Sequence, residues 1–442
     1  MRVLRPTGWS RQSALFLVLV LICAACAPST ARGIVPAATV EAHAPRYLPA
    51  SAWEHIALPA SASDIQGVAV SPIDPATLFA CTTQPQALWR TTDAGAHWTR
   101  YALTFGGTGH CSFSFAPDDS GRVTFQVEQP SQDAQPCAHD SFYLSMDGGE
   151  TWHMLPRHVS IAPAKASYGW CELHVTRHHL FLAYSYALSN QSPQVSLLER
   201  SDDEGISWVR ADRGLGGGSL FFMPEVGPGE TLAMTVVHVP ETPMGSEGPR
   251  LVTSRDAGDT WQQISTPPNG VGTYLLASPP RAGSAWPSPD HPFYALEHEQ
   301  IPSNLYRERV AVSGDGQQWT LLPELPVSGA SELRAGILQV LSVLPDGRLA
   351  IWGPDPSKGL PSEQEASKKP VSAFWLWLWD PAAQTWQAMP SPLRVTASEG
   401  CGLCWGATSV ADKDGVVYLY VSRFYTSPAD QEPPGWFRVR IS

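Results

Sequence analysis

The side chains with chemical reach are six cysteines, a histidine cluster and a scatter of carboxylates. Cys81, Cys111, Cys137, Cys171, Cys401 and Cys404 make an even set beyond the N-terminal segment, which in an exported chain reads as disulfides. Cys401-Gly-Leu-Cys404 has the spacing of a redox pair, but that motif opens a helix and none is evident here. A zinc site would want a second pair at ligand spacing, which the sequence lacks. His174, His178 and His179 crowd the stretch Glu172 to Leu180. They tempt a metal reading, yet an exposed polar turn accounts for them, and no metal or other cofactor is expected. Paired carboxylates can cleave a glycosidic bond. Glu128, Glu297 and Glu299 stand near the ends of β-rich runs, but nothing selects a pair. Gly214-Leu-Gly-Gly-Gly218 is no phosphate loop, because no Lys follows and no helix starts there.

Composition narrows the elements that must position these groups. The 442 residues are 43% apolar and only 16% charged, against ~25% charged for an average soluble protein. With 41 prolines, 36 glycines and no collagen period, long helices and coiled coils are disfavoured and a turn-rich β protein is expected. Length alone suits about three domains or one large repeat array. The net charge of −12 argues against a basic nucleic-acid-binding face, though not against a local basic pocket.

The N-terminus reads as an address. Arg2, Arg5 and Arg11 precede an apolar run from Ala14 to Ile22, too short for a spanning helix of ~20 residues. Residues 1–25 are therefore expected to be a signal peptide. Ile22-Cys23-Ala24-Ala25-Cys26 resembles a bacterial lipobox, with Cys23 where Leu is usual. The resemblance implies a lipid on Cys26 and an extracytoplasmic protein anchored to the cell membrane. Ala25-Cys26-Ala27 also fits an ordinary cleavage site, which would release a soluble secreted protein; an uncleaved anchor is a third route. Residues 26–51, rich in Ala, Pro and Thr, read as a flexible tether. The fold is expected over 52–442.

Four segments then repeat one pattern: Ser or Thr, any residue, Asp, any, Gly, two of any, Trp. They carry Asp93, Gly95 and Trp98; Asp147, Gly149 and Trp152; Asp203, Gly205 and Trp208; and Asp256, Gly258 and Trp261. Chance would supply roughly 0.01 such match per chain, so the pattern is an internal repeat. The tryptophans are 54, 56 and 53 residues apart, a propeller-blade period. The Asp carboxylate can accept downstream N–H groups, the Gly permits a positive φ, and the Trp brings an indole to pack on neighbouring structure. Weaker copies hold Asp315 with Trp319, and Asp380 with Trp386.

These segments resemble Asp-boxes (BNR repeats), which belong to β-propellers of the sialidase or neuraminidase-like superfamily. The resemblance implies an all-β fold with each box between the third and fourth strands of a blade. Seven Trp-led strands begin at Trp53, Trp98, Trp152, Trp208, Trp261, Trp319 and Trp386. They predict seven four-stranded blades, with residues 52–59 completing the last blade beside the C-terminal strand; six blades is the runner-up. Closure of the ring would hide sheet edges.

In such a ring the box turns lie on one face and the longer connections surround the channel mouth on the other. His110, Glu128, His298, Glu299, Arg334 and Arg423 are the mouth-side ligand candidates. The expected disulfides are Cys81–Cys111, Cys137–Cys171 and Cys401–Cys404, the first two joining adjacent blades. Asp-box propellers include sialidases, xyloglucan-cleaving glycosidases, sorting receptors and a photosystem assembly factor, so the fold does not decide activity. A sialidase needs an arginine clamp, an acid/base carboxylate and a Tyr–Glu pair. The family's early Arg-Ile-Pro motif is missing; Arg46-Tyr-Leu-Pro49 is the nearest echo and falls in the tether. The favoured reading is a monomeric, non-catalytic exported propeller that binds a glycan or protein at the mouth. A sialidase-like or other glycoside hydrolase is the alternative, and a structural or assembly role at the envelope is third.

Overall fold

Short apolar runs punctuated by Gly, Pro and Asp fold into seven small antiparallel sheets arranged in a ring, a seven-bladed β-propeller. The computed structural model describes residues 46–47, 53–59, 65–83, 86–101, 111–117, 119–128, 140–157, 167–187, 195–215, 219–221, 225–238, 250–264, 271–277, 292–301, 305–325, 339–353, 355–357, 375–390, 405–411, 414–423 and 435–441. Blade one is Ile65–Val70, Leu78–Thr83, Gln86–Thr91 and Thr99–Tyr101. Blade two is Cys111–Ala116, Asp119–Val127, Ser141–Ser145 and His153–Met154. Blade three is Ser167–Val175, Leu180–Ala187, Val195–Ser201 and Val209–Arg210. Blade four pairs Ser219–Phe221 and Glu225–Val226 with Leu232–His238, then Arg250–Ser254 and Gln262–Gln263. Blade five is Val271–Ala277, Phe293–Ile301, Leu305–Ser313 and Thr320–Leu321. Blade six is Gln339–Val343, Leu349–Gly353, Trp375–Asp380 and Thr385–Pro390. Blade seven is Trp405–Ala411, Val417–Arg423 and Gly435–Ile441, completed by Glu54–Ile56. Strands of successive blades touch all round, including the inner strand of blade seven against that of blade one. No helix of the described residues is long and apolar enough to cross a membrane.

The repeated aspartates hold the turn into each fourth strand. In blade two, Asp147 Oδ1 accepts the N–H groups of Glu150 (3.0 Å) and Thr151 (2.8 Å), while Oδ2 accepts the Thr151 hydroxyl. Ser145 Oγ donates to Asp147 and accepts the Gly149 N–H. Partial burial pulls the Asp147 pKa upward, but these bonds outweigh it and hold the carboxyl at about 2. Blades one, three and four repeat the set around Asp93, Asp203 and Asp256. Asp315 does so with one residue fewer, and Asp380 does so without Gly, its turn closed by Gln384 at φ 50.

Each turn also seats on its neighbour. A Cβ on Gly149 (φ 83) would lie 2.4 Å from a Phe79 ring carbon in blade one. The indole N–H groups of Trp261 and Trp386 donate to Ala211 and Pro323, carbonyls just past the outer strands of the preceding blades. Trp98 reaches Ala57 and Trp53 reaches Pro390, which stitches blade seven to blades one and six. Trp152 and Trp208 instead donate to Gly149 and Gly205 of their own turns. Tyr420 of blade seven donates to the Pro75 carbonyl of blade one.

The N-terminal strand closes the ring as the sequence implies: Glu54, His55 and Ile56 pair antiparallel with Arg438, Phe437 and Trp436. The expected tether contains one further strand. Arg46–Tyr47 pairs in parallel with Gln387–Ala388 on the outside of blade six. The reason is an exposed edge. The other described fourth strands have two or three residues, whereas blade six's has six, and an uncovered edge of that length invites pairing with other chains. Cys81 and Cys111 form the expected disulfide between blades one and two. Closing a loop of 30 residues stabilises by about 3–4 kcal/mol. Cys171 is also disulfide-bonded; Cys137, Cys401, Cys404 and the lipidation candidate Cys26 lie outside the described residues.

Two outcomes follow for stability. Gly149→Ala combines a left-handed backbone with a clash on Phe79 and should lose about 2–4 kcal/mol in urea unfolding. Gly214→Ala, at φ 97 with nothing within 4 Å, should lose only about 1 kcal/mol. Deleting residues 47–59 should lower the Tm by on the order of 10 °C or prevent folding; an unchanged Tm would show that the ring closes without Glu54–Ile56.

Candidate functional site

Two carboxylates on neighbouring blades, Glu128 of blade two and Glu172 of blade three, interact electrostatically. Along the first strand of blade three, Cys171, Leu173 and Val175 turn towards blade two and join Phe142, Leu144 and Leu155 in one apolar cluster. Glu172 and His174 alternate with them, opposite Ala183 and Phe181 on the face packed against blade four. Buried Gln126 of blade two fixes this strand. Its amide nitrogen donates to the Cys171 carbonyl (3.0 Å) and to Asp140 (3.0 Å), and its oxygen accepts the Leu173 N–H (2.9 Å). The peptide groups on either side of Glu172 are thereby clamped. Glu128, two residues beyond Gln126, is exposed at the end of its strand remote from the aspartate turn.

This surrounding shifts both titratable groups on the strand. Desolvation, reinforced by the Glu128 charge, pushes the Glu172 carboxyl up to about 7. Desolvation pulls the His174 imidazole down to about 4. A carboxyl that titrates near pH 7 exchanges between a proton donor and an acceptor.

The opposite face carries a different network. His179 Nδ1 lies 2.9 Å from Glu230 and its Nε2 3.5 Å from Asp202. Glu230 also accepts the His178 N–H. Burial raises the Glu230 pKa, but the bonds from His179 and Thr176 outweigh it and the net shift is downward. Arg200 donates to Asp202, to the Ala257 carbonyl and to Asp259, binding blade three to blade four. The turn Thr176–His179 lies on this face, as the sequence suggests. It is not simply solvated, because His179 bridges two blades. Among the described residues no three of His, Cys, Asp and Glu gather as a metal site.

Of the mouth-side candidates, Glu128 directly follows the second strand of blade two, and His298 and Glu299 lie towards the end of Phe293–Ile301 remote from the turns. Arg423 ends the second strand of blade seven. His110 and Arg334 lie outside the described residues. Glu172 and Gln126 are the residues that sequence reasoning passed over. The signal was present: each is a long polar side chain flanked on both sides by apolar residues in a β run, Phe125 and Val127 or Cys171 and Leu173, a position that demands a partner or a purpose.

Residues 50–194 match the sortilin-Vps10 family model, described as sortilin, neurotensin receptor 3. No curated protein matches the sequence. Among solved structures, the chain is similar to the GH74 xyloglucanase from Xanthomonas campestris at 16% identity, with a TM-score of 0.44 over 87% of this chain and 55% of that one. It is similar to YCF48 bound to D1 peptide at 15% identity, with a TM-score of 0.44 over 90% of this chain and 100% of that one. For Trypanosoma rangeli sialidase in complex with sialic acid the figures are 12% and 0.39, over 90% and 60%. The chain thus spans little more than half the length of the xyloglucanase.

Glu172 sets a pH dependence. Its folded pKa is raised, so its contribution is fully present below about pH 4.5 and is lost as pH rises through about 7. His174 works the other way: its folded pKa is depressed, and stability is lost as pH falls from about 6.5 through about 4. Glu172→Gln should therefore match the native protein's stability near pH 4 and exceed it at pH 8 by on the order of 2 kcal/mol. Urea unfolding at both pH values checks this, and equal stability at pH 8 would refute the buried acid.

Proposed function

We propose that the protein is an extracytoplasmic Asp-box propeller that binds a hydroxyl-rich ligand, a glycan, on the mouth side of blades two and three, near Glu128 and Glu172. One observation carries the reading. The Gln126 amide clamps the peptide groups flanking Glu172, and the Glu172 carboxyl, pushed up to about 7 chiefly by burial, also feels the charge of Glu128. Such a pair offers a donor and acceptors together, as sugar hydroxyls require. The aspartates of the repeated turns are committed to their own backbone and belong to the scaffold. The Cys81–Cys111 disulfide supports an oxidising compartment. The partial match to a receptor family agrees with binding. Lipidation at Cys26 would tether the propeller to the membrane.

The same pair favours a second reading, a glycoside hydrolase with Glu172 as acid and Glu128 as base or nucleophile. A panel of fluorogenic glycosides, a sialoside included, separates the two. The binding reading expects saturable binding on a glycan array, weakened at least tenfold by Glu172→Ala, with no turnover. Turnover abolished by Glu172→Gln or Glu128→Gln would establish the enzyme instead. Glycan binding that survives both changes would remove this pair from either role.

A further inference from the structure

The turn between the first two strands of blade three sets one imidazole between two carboxylates. Thr176 closes that turn: its N–H donates to the His179 carbonyl at 2.9 Å, and its hydroxyl oxygen accepts the His179 N–H at 2.9 Å. The ring is thereby fixed with Nδ1 2.9 Å from Glu230 of blade four and Nε2 3.5 Å from Asp202 of its own blade. Glu230 is pinned as well. It accepts the His178 N–H at 3.0 Å, and its backbone takes a left-handed φ of 64, which a residue other than glycine keeps only where its surroundings hold it. The side chains are 21% exposed for His179 and 14% for Glu230, so salt and water screen their contact poorly.

A neutral imidazole has one N–H and one lone pair, whereas the imidazolium has two N–H donors. With a carboxylate oxygen facing each nitrogen, the neutral ring satisfies one partner and turns its lone pair on the other. The charged ring suits both. Other charges surround the pair without taking over that role. Arg200 donates to Asp202 at 2.8 Å, but it also serves Ala257 and Asp259 of blade four. Arg122 of blade two adds its field to Glu230 and Glu204, while its Nε is buried without a hydrogen-bond partner. Arg177 and His178 are exposed, and the His178 ring stands 6.3 Å from that of His179. Burial pushes the Glu230 carboxyl up, and the hydrogen bond and charge of His179 help to bring it below its usual range.

We propose that His179 is a proton-operated latch between blades three and four, closed when its ring is charged and slackened when the ring is neutral. Closed, it joins Asp202 and the Thr176–His179 turn of blade three to the Glu230 turn of blade four. The sign follows from linkage. The second bond stabilises the seam while the imidazolium persists, and this gain is lost as rising pH removes the proton. At the acid end the gain is lost again, as falling pH protonates Glu230, whose folded pKa is depressed. Cohesion of the seam is therefore greatest between the carboxylate and imidazole ranges. The latch lies on the turn face, and its success or failure leaves the glycan reading untouched.

Paired thermal unfolding of the full chain and its His179→Gln variant tests the latch, because Gln keeps an N–H donor and takes up no proton. The native Tm should exceed that of the variant by about 2 °C or more at pH 5.5, and by less than half as much at pH 8. Glu172 and His174 are present in both chains, so their own pH dependence cancels in the difference. Asp202→Asn removes the charge facing Nε2. The His179 ring resonances of histidine-labelled protein should then titrate at a lower pH than in the native chain, by about 0.5 unit or more. This second readout holds even where His179→Gln does not fold. A Tm difference that is equal at the two pH values or larger at pH 8, or a His179 titration unmoved by Asp202→Asn, would overturn the proposal.

Discussion

The seating of each aspartate turn against the preceding blade is the constraint on which the ring depends. A blade of four short strands buries too little surface to stand alone, and its partner on each side must be held at one angle. The turns supply that angle by contact. Gly149 lies against Phe79, and Trp261, Trp386, Trp98 and Trp53 hydrogen-bond to carbonyls of the blade before them. The aspartates make these contacts possible by giving the backbone N–H groups of the turn an acceptor close at hand. Their chemistry is consumed in doing so.

That commitment explains where free chemistry survives. Polar groups at the seams are paired wherever two blades supply matching partners, as Arg200 shows with Asp202 and Asp259. In blade one, where Thr92 stands in place of Asp202, the Nε of Arg90 is buried without a hydrogen-bond partner and the side chain faces only Glu150 at 3.8 Å. Glu172 is a different case: its neighbours are fixed by Gln126, while its own proton is governed by burial and by Glu128. The fold is a repeat, and its functional candidates are the places where the repeat is imperfect.

Closure makes the same point at the edges. Each blade but the last is built from one continuous stretch, and the last joins Glu54–Ile56 to the C-terminal strand. This pairing, with the Trp53 and Trp98 bonds on either side of it, ties the two ends of the fold into the ring. Blade six has the only long outer strand among the described residues, and the Arg46–Tyr47 strand covers it.

The sequence by itself determined the repeat, the blade count and the split blade. Those features depend on local hydrogen bonds and on spacing: an aspartate three or four residues before the N–H groups it caps, a glycine at positive φ, and indoles 53 to 56 residues apart. It also identified the Cys81–Cys111 bond, since neighbouring blades bring those strands together. What only the tertiary structure decided was which polar residues find partners across a seam. Gln126 and Cys171 are 45 residues apart, and Arg200 and Asp259 are 59 apart; no local pattern encodes such pairs. The raised Glu172 carboxyl and the unpaired Arg90 Nε follow from burial between blades, a property of the packed ring and not of any segment within it.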